Sequence, residues 1–364
     1  MKQNILKVGT VMGLLLLIGV FASCNDTKKN DKNQELGNIA QLEETTKKSV
    51  VELRKPVVFI TGNDKGSSHF YDSARVYFKE RNYEVINGKY SLEEIISWMN
   101  KNATKNPYGE VHIVNNNNPF KAMNLETVVN GEKVTVESLQ KAINEDRLPS
   151  LKDEAITDST KIIFHTNQLA TNTNLINTLK SAFITENKIP QVVASPYYNI
   201  FGGEFSNHYL AQPYYVFYPT ANSPGKVDLS KEIAKKYPEE KEIDWYDALN
   251  NEKERYVGEP YTIQYSIPVN LELDYHNSDN EIPHFVMQEE IMDFIASEEA
   301  LMKEVQKTNI PVEKFRWTYI VKDSQLIIKG KSSALCVLKP LIKPYGDLEH
   351  VKPDTNNKRL YAMK

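Results

Sequence analysis

The sequence predicts an α/β protein. A mainly parallel sheet sandwiched by helices is expected over residues 55–200, followed by an α+β subdomain over 201–364. Three observations carry this. Short unbroken apolar runs recur and end in polar or glycine-containing loops, as strands buried on both faces do. Segments of helical periodicity stand between them, the alternation that gives right-handed crossovers. Beyond Phe201-Gly202-Gly203 the pattern gives way to aromatic clusters, charged helical stretches and a hairpin.

The elements follow in order. Val57–Ile60 reads as a buried strand feeding Thr61-Gly62, and 72–81 as a helix with Ala74, Tyr77 and Phe78 on one side. Residues 83–88 form a second strand. Ser91 and Glu94 make a capping box for a helix whose Leu92, Ile95, Ile96 and Met99 share a face. Val111–Val114 is a third strand running into Asn115–Asn118. Asn130-Gly131, between β-rich runs, signals a hairpin. A helix over 136–143, a strand over 161–165, a helix over 175–184 and a strand over 191–195 complete the first part. In the second part, 213–219 reads as aromatic turns, 228–254 as charged helix and 261–273 as a strand. Residues 287–305 read as a helix, and 315–321 as a hairpin with 326–328. No internal repeat is present.

Composition narrows the function classes. Hydrophobic residues make up 40% and charged residues 25%, a globular mix that excludes a wholly disordered or fibrous chain. The formal charge is −4; residues 1–23 hold two lysines and no acid, so the remainder stands at −6. An acidic chain without a basic tract gives no reason to expect nucleic acid as a partner. Cys24 and Cys336 are the two cysteines, so no disulfide framework or cysteine-rich zinc site is expected.

The N-terminus carries an address. Two lysines, the apolar run Val11–Ala22 and a small residue before Cys24 have the grammar of a signal peptide over 1–23. The run of 12 residues spans about 18 Å as a helix, short of the roughly 30 Å of a bilayer core. Phe21-Ala22-Ser23-Cys24 resembles the bacterial lipobox, with Phe21 replacing the usual leucine. The resemblance implies a lipidated Cys24 as the new N-terminus and an outer-membrane lipoprotein, leaflet undecided. Residues 24–54 then serve as a polar, flexible tether.

Across 110–195 the order is strand, polar loop, Asn-Gly hairpin, helix, strand, polar loop, helix, strand. Here the chain resembles the caspase-like fold of clan CD cysteine peptidases over about 140 of its 364 residues. The resemblance implies a histidine after the third strand and a nucleophilic cysteine after the fourth. This sequence has Asn116 and Asn167 there. An amide neither attacks nor titrates, so the resemblance implies a degenerate pseudo-peptidase. The groove above the strand ends would survive, with Asn116, Asn167 and His165 at a possible site for an envelope protein, peptide or glycan. The same asparagines also suit a simple turn-rich loop.

Other features read as structural. His112 and His165 interrupt apolar strands and fit hydrogen-bonded core histidines; no spacing supports a metal, and no cofactor is expected. Cys336, inside an apolar run, fits a packed, inert thiol. Residues 274–281 are oxygen-rich but lack the EF-hand spacing, and 62–68 lack a phosphate-loop fingerprint. The 20 tyrosines serve packing equally well as contacts to protein or sugar. Two functions remain open: a non-catalytic binding or scaffolding lipoprotein, and an envelope hydrolase of peptide or glycan whose residues the sequence does not single out.

Lipidation has a direct check. Intact mass spectrometry of the processed chain is expected to show acyl mass on Cys24, and Cys24→Ser to remove that mass and move the protein from the membrane to the soluble fraction.

Overall fold

Five of the apolar runs become the parallel strands of one sheet. These are β1 (Val57–Ile60), β2 (Glu84–Asn87), β3 (Glu110–Val114), β4 (Lys161–His165) and β5 (Gln191–Ala194), lying in the order β2-β1-β3-β4-β5. The computed structural model describes residues 52–62, 69–120, 122–219, 224–276, 281–342 and 353–364. The leader, Cys24, the tether up to 51 and the loop segments 63–68 and 277–280 lie outside them. Val111 pairs with Ile162 in parallel register, so β3 and β4 are the expected neighbours. A further strand, β11 (Ala362–Met363), pairs antiparallel with Val193 and Ala194 and closes the β5 edge.

The sheet is covered on both faces. On one, Phe59, Val111, Ile113, Ile162, Phe164 and Val192 pack against three helices: α2 (Leu92–Lys101), α3 (Val136–Asn144) and α4 (Thr173–Ser181). On the other, Val58, Ile60 and Val114 lie under Tyr71, Ala74 and Phe78 of α1 (Phe70–Glu80) and under Phe201, while Ile163 and Val193 lie under Leu210 and Tyr361. The second face is thus roofed by one helix and by chain from the C-terminal half.

Local signals operate with small displacements. Ser91 accepts the Glu94 N–H at 3.2 Å, but the Glu94 carboxylate reaches back to the Tyr90 N–H at 2.8 Å, one residue earlier than in the usual box. Asn130 is left-handed at φ 56 but Gly131 is not: the turn closes from the Gly131 N–H to the Val128 carbonyl, and only the bridge Glu126–Lys133 forms. The Thr127 and Val134 N–H groups bond the Glu132 and Leu125 carbonyls across the turn, while Glu126, whose own groups face the other edge, donates to the Tyr90 carbonyl and accepts the Leu92 N–H. The pairing is short because Thr135 already caps α3.

The C-terminal half builds a five-stranded antiparallel sheet. Its strands are β6 (Tyr198–Phe201), β7 (His208–Pro219), β8 (Tyr261–Asp274), β9 (Arg316–Lys322) and β10 (Gln325–Pro340). On one side β10 pairs with β8 from Gln325 to Leu338. On the other it pairs with β9 up to Lys331 and with β7 from Ser332 onward. Gly330 is required where the strands meet, since a Cβ there would run into the Trp317 ring. Helices α5 (Lys226–Lys236) and α6 (Trp245–Asn250) pack Leu229, Ile233 and Trp245 on this sheet.

Two expectations are corrected. The aromatic segment 213–219 is not a set of turns but the second half of β7. Pro213 is tolerated because it lies beyond residues 208–211, which β6 pairs, so that edge is open there. The helix over 287–305 is two, α7 (Gln288–Ser297) and α8 (Glu299–Gln306), broken where Glu298 is extended at φ −101, ψ 103. The corner keeps Ile291, Ile295, Leu301 and Val305 in one apolar cluster.

The β9–β10 turn places Asp323 and Ser324 at φ 52 and 58, both left-handed. Replacing the pair with Asn-Gly is expected to stabilise the protein by about 1 kcal/mol. The check is a higher urea midpoint at unchanged m-value.

Candidate functional site

In a doubly wound sheet, ligands meet the carboxyl ends of the strands where the strand order reverses, here beside β1 and β3. The polar loops after β3 and β4 converge there. Asn115 is fully buried and structural: its Nδ2 donates to the Thr61 hydroxyl at 2.8 Å, and its Oδ1 accepts the Asn124 N–H at 3.2 Å. Asn116 donates its backbone N–H to the Tyr71 hydroxyl at 2.9 Å.

Asn167 meets Asn117, not Asn116. The Asn167 N–H donates to Asn117 Oδ1 at 2.9 Å, and each Nδ2 lies 3.4 Å from the other residue's carbonyl. Asn167 Oδ1 also accepts the Asn199 N–H from β6 at 3.0 Å. The two loops are therefore tied to each other and to the second sheet by amides. Beside them Gln168 is held at φ 56, its N–H on the Tyr197 carbonyl and its Oε1 accepting from the Tyr215 hydroxyl.

The tie separates two hollows. One, of about 620 Å³, lies toward the starts of α3 and α4 and is lined by Thr135, Glu137, Thr166, Asn167, Asn174 and Lys307 among others. The other, of about 430 Å³, is lined by Asn116 and Asn167 together with Tyr198, Phe201, Tyr261 and Tyr265. Asn116 and Asn167 are thus brought to one hollow, and Asn167 to both.

His165 is not among the residues lining either. Strand alternation turns it to the opposite face from Ile162 and Phe164. There its Nε2 lies 2.9 Å from His112 Nδ1 and the two rings stack at 5.2 Å. His208 of β7 joins them, its ring stacked on Phe201 at 4.1 Å and 5.5 Å from His165. All three are buried. Burial holds His165 well below its usual pKa, with His112 and His208 adding to the effect. Burial also lowers His112 against the opposing pull of Glu110, and takes His208 down to about 3. These are neutral core rings, as the apolar strands around them imply. Among the described residues no group of three or more His, Cys, Asp or Glu is placed to hold a metal ion. Cys336 is buried in β10 and its thiol is pushed up to about 12, which leaves it unreactive.

The sequence pointed to Asn167 and missed its partners. Asn117 stood one position from the residue singled out. Alternation from Ile162 would have turned His165 away and Thr166 toward α3 and α4. Asn199, His208 and Lys307 carry no local signal, because only the fold brings them near. Set against protein-family models, characterised proteins and solved structures, the chain matches none. The geometry therefore carries the functional reading by itself.

The histidine cluster makes stability depend on pH. In the unfolded chain each ring titrates near 6.5, whereas His208 in the fold titrates near 3. Between those values the unfolded chain binds the extra proton. The contribution is intact above pH 6.5 and drains as pH falls toward 3, at a slope approaching about 1.4 kcal/mol per pH unit for one ring. His208→Phe, which keeps the stack on Phe201, is expected to flatten the loss of stability between pH 6.5 and 4. Urea unfolding across that range checks it, and an unchanged slope refutes the assignment.

Proposed function

We propose that this chain is an envelope lipoprotein, anchored to the outer membrane through Cys24, that binds or scaffolds without catalysis. On this reading it is a degenerate member of the caspase-like group, a pseudo-peptidase that keeps the groove and not the chemistry. The observation that carries the reading is the tie between Asn117 and Asn167 at the ends of β3 and β4. On this reading two asparagines, tied by side-chain to main-chain hydrogen bonds, stand where a base and a nucleophile would have to meet. Further support comes from the hollows around it. Among the described residues that line the larger one, Glu137 is the one carboxylate and Lys307 the one ammonium, with no paired acids. The smaller one adds tyrosine faces to asparagines, a combination suited to the backbone of a peptide or the rings of a glycan.

The test uses the full chain in detergent against immobilised envelope peptides and glycans and against fluorogenic peptide substrates. Retention of a peptide or glycan without turnover is expected, weakened at least tenfold by Asn117→Ala, which unties the loops. Reproducible cleavage that is lost in Glu137→Gln would replace this reading with the hydrolase.

A further inference from the structure

We propose that the larger hollow is a receptor for the free carboxylate of a peptide ligand, an inference that deepens the binding role above and rests on it. The two helix starts that border the hollow differ. At α3, Glu137 supplies its own anion, held below the usual carboxylate range by its own backbone N–H and the Thr135 hydroxyl. At α4 nothing does so. The Asn172 side chain caps the Leu175 N–H at 3.0 Å and the first turn has no acidic residue. The N–H groups of Thr173 and Asn174 have no helical carbonyl behind them, and both residues line the hollow.

A second observation is independent of the helix. Thr166, just past β4, is 1% exposed, lines the same hollow, and has a hydroxyl that makes no hydrogen bond. Alternation along β4 points it to the face of α3 and α4. A buried hydroxyl without a partner destabilises the fold, so its place at a hollow marks a group that a ligand completes. Two main-chain N–H groups and one hydroxyl form a donor set, and a carboxylate is an acceptor with no hydrogen of its own. Lys307, paired with Glu304 at 2.6 Å, and Glu137 are the charged residues lining the hollow among the described residues. Glu137 opposes a dianion such as phosphate and accepts an N–H from the ligand's chain, which favours a singly charged carboxylate on a peptide.

Calorimetry on the full chain in detergent tests this with three probes: a randomised tripeptide pool as free acids, the same pool as C-terminal amides, and inorganic phosphate. The acids are expected to bind at least tenfold more tightly than the amides and than phosphate. Thr166→Val is expected to weaken the acids at least tenfold while raising the thermal unfolding midpoint, a pairing that a merely structural threonine would not give. Asn174→Asp, which puts a carboxylate on the first turn of α4, is expected to abolish acid binding. Equal affinity for acids and amides, tighter binding of phosphate, or full affinity in Thr166→Val overturns the carboxylate site. Amide or glycan binding still sensitive to Asn117→Ala would leave the broader binding role standing. Absence of binding by every peptide and glycan overturns both.

Discussion

The constraint on which the molecule depends is that its central strands are covered on both faces. Every residue of β1 is buried, as are all but the first of β3 and β4. One face is filled by three amphipathic helices that the first half of the chain supplies. The other receives only α1 from that half, and Phe201, His208, Leu210 and Tyr361 complete the roof. A two-sided interior also dictates how polar residues behave. Thr160 and Ser195 are tolerated because their hydroxyls reach the carbonyls of Tyr108 at 2.6 Å and Leu360 at 2.9 Å. His112 and His165 remain neutral and share a hydrogen bond, while His208 remains neutral and stacks on Phe201 with neither ring nitrogen paired.

This constraint explains what the sequence made legible. Buried parallel strands are unbroken apolar runs, so Val57–Ile60 and Lys161–His165 are bounded by their own residues. Helix starts were equally local, because Ser91 and Thr135 act on N–H groups within one turn. What escaped was decided at a distance. The second half of β7 looks like turns until Leu335 and Val337 of β10 lie beside it. The break at Glu298 answers to the cluster that both helices fill, and the hairpin around Asn130-Gly131 is cut short where Thr135 begins α3.

The candidate site divides in the same way. Asn167 was visible as a polar residue at the end of a buried strand, the position at which such sheets present ligand groups. That it would bind Asn117 and Asn199 follows from the convergence of two loops and β6. Thr166 shows why the remainder was hidden. A threonine after a strand is unremarkable in sequence, and it becomes informative only when its hydroxyl is seen to be enclosed and unused.

Edge closure at β11 has a temporal consequence. Ser195 bonds Leu360 across 165 positions, and β5 finds its outer partner only at Ala362–Met363. As the chain emerges, the outer edge of β5 stays unpaired, and Ile163 and Val193 have only Leu210 of that cluster over them, until that late segment arrives. Contacts of such long sequence separation form slowly. The nascent chain therefore passes through a stage with an open strand edge and apolar surface, which is the stage most exposed to aggregation and most in need of a chaperone.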